Sequence, residues 1–141
     1  MPTPLRREFR VPGLNEPISH YTDAVSFGDL LFVSGIGPLA EDGSLVGGDD
    51  PAEQTHQIFR NLDKVLRAAG ASRADVLKVT VYLTDISDRA RINPSRQQFF
   101  GAARPASTLV EVSRLAIPGM RVEIEAVVGL RATSRRTSRP T

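Results

Sequence analysis

Residues 104–128 read RPASTLVEVSRLAIPGMRVEIEAVV. The spacing of their apolar side chains predicts two strands, over 107–114 and 121–130, joined by a loop that carries Pro118 and Gly119. In the second run Val122, Ile124, Ala126, Val128 and Leu130 alternate with Arg121, Glu123, Glu125 and Val127. In the first, Thr108, Val110 and Val112 alternate with Ser107, Leu109 and Glu111. Alternation at period two marks a strand with one face buried. On this parity Ser107, Leu109, Glu111, Glu123 and Glu125 leave the core face. Carboxylates there need cover by water or by another subunit, because an uncompensated buried charge is costly.

Working back from this stretch, residues 76–84 also alternate. Leu77, Val79, Val81 and Leu83 face one way, and Lys78, Thr80 and Tyr82 the other. Between the strands lies a helix over about 89–102, with Pro94 close to its start and Phe99 and Phe100 placed to dock on the core. Upstream, Asp50-Pro51-Ala52-Glu53 supplies an N-cap, a proline at the first helical position and an acid at the third. Thr55, Ile58, Phe59, Leu62, Val65, Leu66 and Ala69 then recur at three and four, one apolar helical stripe that Gly70 terminates. Gln54, His56 and Arg60 fall off this stripe and read as solvated. Nearer the N-terminus, residues 21–27 and 30–34 flank Gly28-Asp29, a hairpin turn. The continuous apolar run Leu30-Leu31-Phe32-Val33 predicts a strand covered on both faces. Gly35 and Gly37 mark a bulge, a close approach or a plain turn. A short edge strand is expected around 9–11. The fold class is therefore α+β: a single mixed sheet with two helices on one face.

The 141 residues suit one domain over 1–131, followed by a flexible basic tail over 132–141. The formal charge of +2 is carried by that end of the chain: Arg131, Arg135, Arg136 and Arg139 have no acidic neighbour. Without those four, residues 1–130 hold 14 basic against 16 acidic side chains, which argues against nucleic acid as a partner. The absence of cysteine excludes thiolate chemistry, and His20 and His56 are too few for a histidine-rich metal site. No apolar run approaches the ~20 residues that span a bilayer. The N-terminus lacks the apolar stretch of a secretory signal, so a cytoplasmic protein is expected.

The chain resembles the RidA family, the reactive intermediate deaminases, also called the YjgF family, from about residue 17 to 131. The resemblance rests on Tyr21-Thr-Asp-Ala-Val, Gly28-Asp-Leu-Leu-Phe-Val-Ser-Gly35, Leu45-Val-Gly-Gly48, Gln54-Thr55, Val79-Thr-Val-Tyr-Leu-Thr-Asp85, Asn93 with Phe99-Phe100, Arg104-Pro-Ala, and Val122-Glu-Ile-Glu-Ala126. Each piece is short; their order and separations make the set specific. The resemblance implies a fold like that of the small chorismate mutases. It also implies a homotrimer whose sheets enclose a central barrel, with ligand clefts at the subunit interfaces. Family enzymes hydrolyse reactive enamines and imines, such as 2-aminoacrylate, to keto acids and ammonia, with neither metal nor organic cofactor. Carried over by position, the cleft would contain Tyr21, Ser34, Gly35, Asn93, the backbone at Leu109, and Glu123. Glu123 matches the glutamate thought to orient or activate the attacking water.

Two departures matter. The family's substrate-clamping arginine belongs where this chain has Ser107, in Pro105-Ala106-Ser107-Thr108. Losing a buried bidentate guanidinium–carboxylate contact costs on the order of 2–5 kcal/mol. A simple 2-imino acid is therefore not the expected substrate, unless Arg104, Arg114 or Arg121 substitutes; strand parity does not put Arg114 with Ser107. The second departure is His20 before Tyr21, a candidate base near neutral pH. The leading expectation is a cofactor-independent deaminase acting on another small imine or enamine. In this expectation Ser107, Tyr21 and Asn93 shape the pocket. The alternative is a relative that binds a small metabolite or a partner without turnover. RNA cleavage, ascribed to some relatives, is a third reading that the acidic body disfavours.

Overall fold

Val122, Ile124, Ala126 and Val128 are all buried in the computed structural model, which describes residues 5–131. The strand that carries them, β6 (Val122–Gly129), lies inside a six-stranded sheet. The other strands are β1 (Arg6–Phe9), β2 (Ala24–Phe27), β3 (Leu30–Ile36), β4 (Val76–Leu83) and β5 (Ala106–Glu111). Their order is β1-β2-β3-β6-β4-β5; only β4 and β5 run parallel. Two helices, α1 (Pro51–Ala69) and α2 (Arg89–Phe100), cover one face. This is the expected α+β arrangement. The basic tail expected over 132–141 lies outside the described residues.

α1 begins and ends where its sequence dictates. The Asp50 carboxylate accepts the Ala52 N–H at 2.9 Å, satisfying one of the free donors of the first turn. Gly70 adopts φ 74°, the left-handed cap. The apolar stripe packs on β6 and on α2, where Phe59 stacks on Phe99 at 4.5 Å and meets Phe100 edge-on at 5.6 Å. The Gly28-Asp29 hairpin turn is present between β2 and β3. The edge strand forms a few residues earlier than expected, as β1.

Three sequence-based expectations are corrected. The first concerns β5, whose facing is opposite to the parity argument. Val79 pairs with Ser107 and Val81 with Leu109, and in a parallel pair aligned residues share a face. Ser107, Leu109 and Glu111 thus turn towards the helix side, and Thr108 and Val110 turn away. β5 is an edge strand with little burial of either face, so apolar alternation carries little information there. The second concerns β4. A register shift between Val76 and Lys78 buries Val76 and leaves Leu77 half exposed, lying over Gly129. The third is Gln54, which is 0% exposed. Its amide nitrogen donates to the carbonyls of Gly48 at 2.8 Å and Gly119 at 2.9 Å, and its oxygen accepts the Arg121 N–H at 2.7 Å. Gln54 ties the loop before β6 to the start of α1, a polar role that an apolar-stripe argument cannot see.

The sheet's other face has no layer of this chain on it. Register puts Val25, Phe27, Leu30, Phe32, Val127, Tyr82 and Val110 there, with Glu123, Glu125, Lys78 and Thr80. Phe27 is 55% exposed and Phe32 47%. In the single chain the run Leu30–Val33 is therefore covered on one face only.

Candidate active site

Glu123 is set by two neighbouring strands. Across β4 it pairs with Tyr82, on the uncovered face. Across β3 the ladder shifts between Val33 and Ile36, so β3 carries an extra residue at Ser34-Gly35. Such a bulge bends a strand and re-aims its side chains. Gly35 is required for a second reason. A Cβ built on it would collide with Glu123 Oε2 and sit 2.9 Å from Cδ. The glycine thus lets the carboxylate lie directly against the backbone of β3, a close approach of the kind the sequence singled out.

The electrostatics distinguish the two glutamates of β6. Tyr82 donates its hydroxyl to Glu125 Oε1 at 2.9 Å. Among the described residues no donor reaches Glu123. Burial first, and the charge of Glu125 second, push the Glu123 carboxyl above its ordinary value. A carboxyl that is partly buried, unpartnered and raised towards neutrality can both take and return a proton.

Glu123 faces a cavity of about 400 Å³. Tyr21, Ser34, Gly35 and Glu123 line it together, joined by Ile18, Asn61, Ile117 and Met120, which sequence reasoning missed. The Ser34 hydroxyl donates to the Thr22 carbonyl at 2.6 Å, which leaves its lone pairs for a ligand. The Tyr21 hydroxyl accepts the Ile18 N–H at 3.3 Å and keeps its own proton to donate. His20 is exposed and does not line this cavity.

The remaining candidates lie elsewhere. Asn93, Ser107 and Leu109 line a second cavity of about 350 Å³ with Arg89, Ala90 and Arg96. It lies between α2 and β5, on the helix side of the sheet, and shares no lining residue with the first. Arg96 Nη2 donates to Ser107 Oγ at 2.7 Å. The sequence contained a signal for this: Arg89, Asn93 and Arg96 recur at four and three, one polar face of a helix. The arginines considered as substitutes do not reach Ser107. Arg121 is committed to Asp88 Oδ2 at 2.8 Å and to the Asp49 carbonyl at 2.9 Å, while Arg104 and Arg114 are exposed and line neither cavity. Among the described residues no group of three His, Cys, Asp or Glu side chains converges as a metal site would require, and no helix is long and apolar enough to cross a membrane.

Residues 13–130 match the family model described as endoribonuclease L-PSP. A RutC family protein of Pyrococcus abyssi is 42% identical over 113 residues, covering 79% of this chain and 87% of that protein. A human protein named 2-iminobutanoate/2-iminopropanoate deaminase is 37% identical over 119 residues, covering 84% of this chain and 83% of that protein. The crystal structure of the YjgF gene product of E. coli superposes with a TM-score of 0.81 at 29% identity, covering 89% of this chain and 99% of that chain.

Proposed function

Because the chain belongs to the RidA/YjgF family, the family of the endoribonuclease L-PSP model, we propose that it hydrolyses a small reactive imine or enamine to a carbonyl compound and ammonia. It does so without a cofactor, in sites shared between copies of a cytoplasmic homotrimer. The observation that carries this is the setting of Glu123: a raised, unpartnered carboxyl pressed against Gly35 on a cavity wall. Support for the shared site comes from the division of the candidates. Glu123 lies on the uncovered face of the sheet and Ser107 on the helix face, so one small ligand in one chain cannot touch both. The cavity holding Tyr21, Ser34, Gly35 and Glu123 on one copy then meets the cavity holding Asn93, Ser107 and Leu109 on the next. Packing three sheets face to face also covers Phe27 and Phe32, which the single chain leaves exposed.

The chemistry needs little. An enamine first takes a proton on carbon from the Glu123 carboxyl and becomes an iminium ion. Water adds to the iminium carbon as Glu123 accepts its proton, giving a carbinolamine. The same carboxyl returns the proton to nitrogen; as the C–N bond breaks and ammonia leaves, the carboxylate takes the hydroxyl proton and the carbonyl forms. One positioned acid–base group serves each transfer. Ammonia release is measured from freshly generated 2-aminoacrylate and from an imine that lacks a carboxylate. The wild-type protein is expected to accelerate at least one of them above the spontaneous rate. No acceleration of either would leave binding without turnover, the reading that the serine at 107 favours.

A further inference from the structure

Two arginines among the described residues are withdrawn from full exposure, Arg121 and Arg96. They are treated differently. Arg121 pairs with the buried carboxylate of Asp88 at 2.8 Å. Arg96 has no carboxylate within ion-pair distance among the described residues. Its one hydrogen bond goes to the neutral hydroxyl of Ser107 at 2.7 Å. A guanidinium has five N–H donors, so this partner leaves most of them unused. Burial pushes the Arg96 guanidinium down from its ordinary value, with no nearby acid to offset it. Proteins that withdraw a guanidinium from water normally supply an anion. Arg96 is aimed instead at a cavity of about 350 Å³ whose other polar groups are the Asn93 amide, the Ser107 hydroxyl and the second cation Arg89. Every charged side chain lining that cavity is positive.

We infer that this cluster is a carboxylate site and that Arg96, delivered from α2, holds the acid group of a 2-imino or 2-amino-2-enoic acid. This rests on the imine-hydrolysis reading above and names its substrate class. The carboxylate accepts two parallel N–H bonds from the guanidinium and a third from the Asn93 amide. Ser107 is a positioning residue. Its oxygen accepts from Nη2 and fixes the plane of the guanidinium, and its small side chain leaves space for the ligand. An arginine at 107 would bring a second cation against the first. The missing cation on β5 and the unpaired cation on α2 thus describe one rearranged site, reached from a different element. The simple 2-imino acids that Ser107 placed in doubt become its substrates.

The test uses Arg96→Gln and Arg96→Lys in the full chain, with thermal unfolding to confirm that both fold. For 2-aminoacrylate, Arg96→Gln is expected to raise KM by roughly 30-fold or more, the loss of a desolvated charge pair. It should alter kcat less and leave an uncharged imine unaffected. Arg96→Lys should recover part of the lost affinity. Separately, binding of pyruvate and of pyruvamide is followed by NMR titration, which requires no turnover. Pyruvate should bind wild type well and Arg96→Gln poorly, with pyruvamide indifferent to the change. If wild type binds pyruvate through Arg96 yet hydrolyses no imine, the carboxylate site stands and the hydrolase reading falls. If wild type hydrolyses 2-aminoacrylate and Arg96→Gln does so with the same KM, the hydrolase reading stands and the carboxylate site is overturned. Equal losses for charged and uncharged substrates would also overturn it.

Discussion

Glu123→Gln is expected to lower ammonia release by about 10²–10⁴-fold, the range for removing a positioned acid–base group, while making the protein more stable at neutral pH. The two effects share one cause. Burial and the neighbouring Glu125 disfavour the charged form of Glu123 and raise its carboxyl. A carboxyl raised in the folded state contributes its full stability below the pKa of the unfolded chain. That contribution is lost as pH rises through the raised folded value. Glutamine fixes the neutral form. The variant's advantage in Tm is therefore absent at low pH, grows across that window and is constant above it. Unfolding curves from pH 3 to 8, with ammonia release measured on the same preparations, check both halves. A variant that retains activity, or one whose Tm advantage shrinks as pH rises, would show that the carboxyl is an ordinary solvated group.

Phe32→Glu is expected to dissociate the assembly and, with it, the activity. Phe32 lies on the uncovered face, between Val25 on β2 and Val127 on β6. Burying its ring against another copy contributes about 1.5–3 kcal/mol per chain, and a carboxylate in its place adds a desolvation cost of several kcal/mol. The fold of the single chain should survive, because Phe32 is 47% exposed and outside the buried core cluster. Light scattering coupled to size exclusion should report a smaller species, circular dichroism an unchanged sheet, and the assay no ammonia. An intact assembly, or a fully active monomer, would contradict the face-to-face packing of sheets.

Much of this could be read from the chain because strong patterns coincided. The stripe and caps of α1 fixed that helix, and the alternation in β6 fixed the buried face and put Glu123 on the other. Legibility failed where burial is weak or polar. β5 is an edge strand whose two faces differ little in exposure, so its parity is illegible, and Ser107, which alternation groups with Glu123, faces α2. Gln54 reads as solvated in the sequence because side chains that satisfy buried backbone groups carry no apolar signature. Arg96 lies on α2, and only the docking of that helix beside β5 brings it to Ser107, a tertiary fact that strand patterns do not carry.

If each functional site takes one half from each of two copies, mixing two differently damaged subunits restores activity. Glu123→Gln damages one half and Asn93→Ala the other. Each variant alone should be impaired. Co-expressed at equal levels, they should recover about a quarter of the wild-type rate, since random assembly of a closed ring places two intact halves together at that frequency. Recovery no greater than the mean of the two variants measured separately would mean that each chain works alone and that no site is shared between copies.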